Sequence, residues 1–161
     1  MQSILSSTQI GKIGETIVGA QLMLASEGRL SPFLPIADDG GIDLIIHDKL
    51  TGRSLTLQVK ARVAKLEDRL GYTQFDVRTA TFRDDAGMFL LAILLDMDQG
   101  GVQRAWLIPM VELSAISMRK AERLTITPNP SPDSQDRYTP YRCLDMAEVA
   151  ERLLAHFDEL P

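Results

Sequence analysis

The sequence has little of the chemistry that most often announces itself: one cysteine and two histidines among 161 residues. A lone Cys143 excludes an internal disulfide framework and any cysteine-based metal cluster. His47 and His156 are too few for a multi-histidine zinc or iron site. Long apolar runs are missing as well. The longest, Met88 to Leu95, falls far short of the roughly 20 residues that cross a bilayer, so no membrane partner is expected. The N-terminal stretch MQSILSSTQ has neither the charged nor the apolar region of a secretory signal, which points to a cytoplasmic protein. No internal repeat is visible. Gly11-x-x-Gly14 does not follow a strand and is not a dinucleotide fingerprint.

Net positive charge is lacking too: the chain carries −5, which argues at first against a nucleic-acid partner. The distribution says otherwise. Residues 1–48 carry a net −4, residues 49–83 a net +5 and residues 84–161 a net −6. A basic segment inside an acidic chain says more about a partner than the total does.

The length suits one domain, with a core over 8–127, a loop over 128–144 and a helix over 145–158. Ile10, Ile13, Ile17, Ala20 and Leu24 step by threes and fours, predicting a helix capped by Ser7 or Thr8 and ending at Gly28. Pro32 and Pro35 hold an extended segment. Asp39-Gly40-Gly41 signals a turn, which Asp38 helps to shape, before the apolar run Ile42 to Ile46. Residues 49–52 read as a hairpin loop followed by a strand from Arg53 to about Arg62. Further strands are expected at Tyr72–Val77, Met88–Asp96, Val102–Met110 and Leu124–Thr127, with a short helix at Val111–Met118. The 127–142 stretch is rich in Pro, Ser and Asp, which suits a mobile loop. Asp145 caps the last helix. This order implies an α/β fold, a mixed sheet with helices packed on it.

The hairpin carries the chemistry. A loop at 49–52 closes on Asp48 opposite Arg53 and brings Asp43 opposite Gln58, at about 4.5–5.5 Å between Cβ atoms. Period-2 alternation puts Thr56, Gln58, Lys60 and Arg62 on one face of the second strand and Leu55, Leu57, Val59 and Ala61 on the other. A carboxylate, an amide and an amine then converge, which suits metal-assisted hydrolysis of a phosphodiester. Mg²⁺ takes oxygen ligands from few carboxylates, with water and substrate phosphate completing the shell. A neighbouring lysine orients water and stabilises developing charge. Glu15 shares a helical row with Gly11, Val18 and Leu22, so its carboxylate points at something polar or lies at the edge of the buried face. Lys60, Arg62, Lys65 and Arg69 follow directly and suit phosphate contacts; binding by this chain alone is expected to be weak.

The runs GKIGETIV (11–18), DDGGIDLII (38–46) and LTLQVKAR (55–62) resemble the PD-(D/E)xK nuclease superfamily, in its restriction-endonuclease-like and Holliday-junction-resolvase-like branches. The resemblance covers Gly11 to Arg62. It implies a three-layer α/β/α fold around a central mixed sheet, and a Mg²⁺- or Mn²⁺-dependent nuclease acting on DNA, with a homodimer left open. Glu15 matches the helical acid, Asp43 the principal metal ligand, Gln58 the second ligand position and Lys60 the catalytic lysine. Val59 would offer its backbone carbonyl to the metal. Two positions depart from the pattern: Gln58 replaces an acidic residue, and Ile42 stands where the motif has proline. The departure at Gln58 keeps open a catalytically inactive nuclease-fold module that binds nucleic acid or a protein partner, and beyond that an interaction domain with no nucleic-acid role. Each residue also has a plainer reading. Asp43 can satisfy turn amides, Lys60 and Arg62 can be solvated strand charges, and Trp106 and Cys143 can be core.

Overall fold

The computed structural model describes residues 4–37, 40–64 and 72–161 of the chain. The chain starts with α1 (Ser7–Ala25). Its cap is Ser6, one residue ahead of the expected Ser7: the Ser6 hydroxyl accepts the Gln9 N–H at 3.2 Å, and the Gln9 side chain accepts the Ser6 N–H at 2.8 Å. This reciprocal box satisfies two amides that the first helical turn leaves unbonded. Gly28, at φ 81°, donates its N–H to the Met23 carbonyl and turns the chain out of the helix.

The strands follow as β1 (Leu30–Phe33), β2 (Leu44–Asp48), β3 (Ser54–Val63), β4 (Phe75–Arg78), β5 (Met88–Asp96), β6 (Gly101–Pro109), β7 (Met118–Lys120), β8 (Arg123–Ile126) and β9 (Arg142–Cys143). The helix α2 (Met110–Ile116) follows β6, and α3 (Met146–Glu159) ends the fold. Among the described residues these strands form a six-stranded sheet in the order β1-β2-β3-β5-β6-β9 and a small sheet in the order β4-β8-β7. β3 and β5 run parallel, whereas the other neighbours are antiparallel, so the large sheet is mixed, as expected. The short β7 and β9, which sequence patterning does not reveal, have three and two residues, too few to show a period.

Both faces of the large sheet are covered. On one side Val18 and Leu22 of α1 and Val149, Leu153 and Phe157 of α3 pack on Leu57, Val59, Leu91 and Ile93. On the other, the small sheet (Phe75, Val77, Leu124, Ile126) and α2 (Met110, Leu113) pack on Leu90, Ala92, Trp106 and Ile108. The outer layer on this side is thus chiefly a small sheet with a short helix. Double coverage is why β5 reads as an unbroken apolar run. Trp106 and Cys143 are fully buried, and burial pushes the Cys143 thiol up to about 11, which leaves it a core residue and not a nucleophile.

Two polar anchors hold the frame. The fully buried Asp48 takes a bidentate bond from Arg29 (2.8 and 2.9 Å) and further bonds from the Leu50 N–H and the Thr51 hydroxyl. The Arg29 guanidinium, with these other donors, holds the Asp48 carboxyl far below the usual carboxylate range against the opposing effect of burial. The segment 127–142, expected as a mobile loop, is tethered. Arg142 donates to the carbonyls of Ser131, Pro132 and Ser134, and Arg104 donates to that of Pro130.

Candidate functional site

β2 and β3 pair with Leu44 opposite Leu57, Ile46 opposite Leu55 and His47 opposite Ser54, the register that the 49–52 loop predicts. Gly52, at φ 73°, makes the tight loop possible, with Asp48 and Arg53 closing it through the Asp48 N–H. The regular ladder stops at Leu44. The Asp43 N–H bonds to the Leu57 carbonyl at 2.9 Å, and Asp43 Oδ2 accepts the Val59 N–H at 2.6 Å. In continued register that amide would bond to the carbonyl of residue 42. The Asp43 side chain has taken the place of a backbone group, in a short charge-assisted bond. Asp43 therefore meets β3 beside Gln58 through the Val59 amide. The same alternation turns the Val59 carbonyl towards the side where β2 has ended.

Gln58 lies on the face of β3 away from Leu57 and Val59, only 3% exposed, and its Oε1 has no hydrogen-bond partner among the described residues. Gly41 explains how closely the chain approaches it. Its φ is +70°, and a Cβ there would lie 2.8 Å from Thr81 Cβ and 3.2 Å from Gln58 Nε2. Only glycine satisfies both the backbone angle and the space. Gly41 and Thr81 were not singled out from the sequence as site residues; the Gly40-Gly41 doublet just before Asp43 was the available signal, and it reads equally as a turn.

Lys60 is half-buried on the same face as Gln58, and among the described residues its ammonium is in no ion pair or hydrogen bond. Arg62, further along that face, is exposed and donates from Nε to the Gln74 carbonyl at 3.2 Å, pinning the approach to β4. Glu15 belongs to α1. α1 crosses β3 at Ala61, where a Cβ on Gly14 would come within 2.8 Å of Ala61 Cβ. The neighbouring Glu15 is buried, and its carboxylate accepts the Lys12 ammonium at 2.7 Å. The structure brings Asp43, Val59 and Gln58 together with Lys60 on the same strand; it does not bring Glu15 into hydrogen-bonding contact with them. Lys65 and Arg69, and the turn residues Asp38 and Asp39, lie outside the described residues.

A divalent cation fits part of this arrangement. The buried, unpartnered Gln58 Oε1 is the type of acceptor that a cation or a water in its shell would satisfy. Asp43 supplies negative charge beside it. Among the described residues, however, no three His, Cys, Asp or Glu side chains gather into a metal-holding group, so the amide and the backbone carbonyl would have to contribute oxygens.

No family model matches the chain, and no curated protein sequence does. Its fold does match solved structures. A bacterial homing endonuclease, I-Ssp6803I, superposes with a TM-score of 0.62 at 18% identity over 93% of each chain. A Holliday junction resolvase, Hjc, from the archaeal hyperthermophile Archaeoglobus fulgidus gives a TM-score of 0.43 at 13% identity, covering 81% of this chain and 97% of that one. The likeness to the homing endonuclease shows the fold alone: an α/β fold around a central mixed sheet, the fold class that the resemblance read from residues 11–62 implies.

Proposed function

We propose that the chain is a divalent-metal-dependent phosphodiesterase acting on DNA. The observation that carries the reading is the buried Gln58 oxygen, without a hydrogen-bond partner among the described residues, beside the Asp43 carboxylate and on the strand that carries Lys60. Asp43, Gln58 Oε1 and the Val59 carbonyl would hold the cation, with Glu15 as a further carboxylate from α1. Mg²⁺ or Mn²⁺ bound there would polarise a phosphoryl oxygen and lower the pKa of water. Asp43 fixes the end of β2 against β3, so the donors are held by the sheet itself. Lys60 orients the attacking water and stabilises charge developing on the phosphoryl oxygens. Gly41, backed by Thr81, lies close against the Gln58 amide.

A second reading has its own support. Gln58 is neutral where the motif is acidic, and the described residues gather no three-carboxylate group; both features suit a nuclease-fold module that binds without cleaving. Cleavage of plasmid and branched DNA in Mg²⁺ or Mn²⁺ separates the two. Wild type is expected to cleave, with activity lost in Asp43→Asn and Lys60→Ala. Cleavage that survives both substitutions refutes the site, and DNA binding without cleavage or metal uptake selects the second reading.

A further inference from the structure

On the outward face of the small sheet, register aligns charges of one sign. Arg78 of β4 lies directly opposite Arg123 of β8, and Arg123 lies directly opposite Lys120 of β7. All three are exposed. The neighbouring pair, Val77 opposite Leu124, belongs to the core, so the cations one position along project away from it. The Thr79 N–H bonds to the Glu122 carbonyl at 2.9 Å, which makes Arg78 and Arg123 a non-hydrogen-bonded pair, the type in which side chains approach most closely. Like charges directly opposed across strands work against the sheet.

Local structure does not account for the row. Cations on edge strands discourage sheet-to-sheet pairing, which suits Lys120 and Arg78, but Arg123 is on the central strand of three. Among the described residues the row has one ion pair. Asp76 meets Arg123 at 3.5 Å while also accepting the Thr125 hydroxyl and the Gln74 amide. Glu122 lies in the tight turn between β7 and β8. Among the described residues neither Arg78 nor Lys120 is in an ion pair. Arg62 adds a cation from β3, and Arg119 another from β7.

The row also abuts the candidate site. The Arg78 carbonyl accepts the Thr81 N–H at 3.1 Å, and Thr81 is the residue whose side chain closes on Gly41, the glycine that lies against Gln58. With strands about 4.8 Å apart, the three cations span about 10 Å leading outwards from that point.

We infer that the Arg78–Arg123–Lys120 row is a docking surface for the phosphodiester backbone of duplex DNA, running from the candidate site across the small sheet. This rests on DNA being the substrate. Charge complementarity names the occupant: a polyanion with regularly spaced phosphates relieves the mutual repulsion of a row of cations. A lone small anion would engage one or two of them.

The experiment measures anisotropy of a labelled DNA duplex in EDTA, over a series of salt concentrations, for wild type and for the Arg78→Gln/Lys120→Gln/Arg123→Gln variant. Cleavage in Mn²⁺ is followed separately. Each lost phosphate contact lowers the slope of log K against log salt by about 0.9, so loss of all three predicts a slope shallower by about 2.7 with weaker binding. The variant should melt close to the wild-type temperature, because it loses repulsion and the exposed Arg123–Asp76 pair but no core contact; this separates lost docking from lost folding. An unchanged slope in the variant overturns the inference even if both proteins cleave. No salt-dependent duplex binding by wild type overturns it too, as does tighter binding to an RNA strand or to anionic vesicles than to the duplex. Loss of slope in the variant with no cleavage by wild type leaves the docking surface standing and removes the nuclease reading.

Discussion

Replacing Gln58 by glutamate restores the motif's missing charge, and the outcome is calculable from the site. The position is 3% exposed and adjoins the Asp43 carboxylate through the Val59 amide. A second carboxylate there, without a cation, is a buried charge with no compensation, which costs about 3–5 kcal/mol. At roughly 2–4 °C per kcal/mol for a chain of this size, Gln58→Glu should melt about 10 °C below wild type in EDTA. Burial and Asp43 both raise the new carboxyl's folded-state pKa above its unfolded value of about 4.3. The folded state then binds the extra proton, so the deficit is small at low pH. It grows as pH rises through that value and is complete above the folded pKa. A divalent cation reverses the deficit. At about a hundredfold excess over its Kd, binding to the folded state adds roughly 2.7 kcal/mol, a recovery of about 5–10 °C. Thermal melting by circular dichroism in EDTA and in millimolar Mn²⁺, with wild type alongside, reads all of this. A variant that melts like wild type in EDTA, or that gains no more from Mn²⁺ than wild type does, refutes the placement of a cation at Gln58.

Three further perturbations test other parts of the frame. Asp43→Ala leaves the Val59 N–H without its bond and should cost about 2 kcal/mol by urea unfolding, whereas Asp43→Asn keeps an acceptor and should cost about half that; equal costs would mean the bond does not hold the end of the ladder. Arg29→Ala strips the buried Asp48 of its main partner. The Asp48 pKa is lowered in the wild-type fold, so its contribution is complete above the unfolded carboxylate value and lost as pH falls through the lowered one; the melting gap between variant and wild type should be wide at neutral pH and narrow in acid. Gly41→Ala forces a side chain into a +70° φ and to 2.8 Å from Thr81, with an expected loss of about 1–3 kcal/mol, and an unperturbed melting temperature would show that the packing around Gly41 yields freely.

Legibility of the fold and site divides by the range of the interaction. The β2–β3 register was readable because a short loop fixes it locally: Gly52 and the Asp48–Arg53 closure leave one alignment of the flanking residues. The buried β5 and β6 were readable from composition alone. The Asp43–Val59 bond was not, because it replaces a backbone pairing that sequence alternation assumes will continue. Nor was the burial of Asp48, whose partner Arg29 stands just before β1, 19 residues back in the chain. Thr81 and the Arg78–Arg123–Lys120 row depend on how the chain returns between β3 and β5, which no local pattern records. The basic segment 49–83 also divides in space: Lys49 and Arg53 stay at the hairpin tip, while Arg78 joins cations from the acidic C-terminal part of the chain.

β3 and β5 lie parallel, with Thr56 opposite Met88 and Val63 opposite Leu95. A parallel neighbour cannot be reached by a tight turn; the chain must travel back along the strand, about 25 Å at 3.3 Å per residue. The return passage holds β4 and Thr81. The close approach of Gly41 to Thr81 and to Gln58 therefore joins residues far apart in sequence and depends on the central sheet being assembled. Such non-local closure is slow in folding. Site formation becomes a late event, so an oxygen able to attract a cation on the β2–β3 hairpin is enclosed only in a chain that has already folded around it.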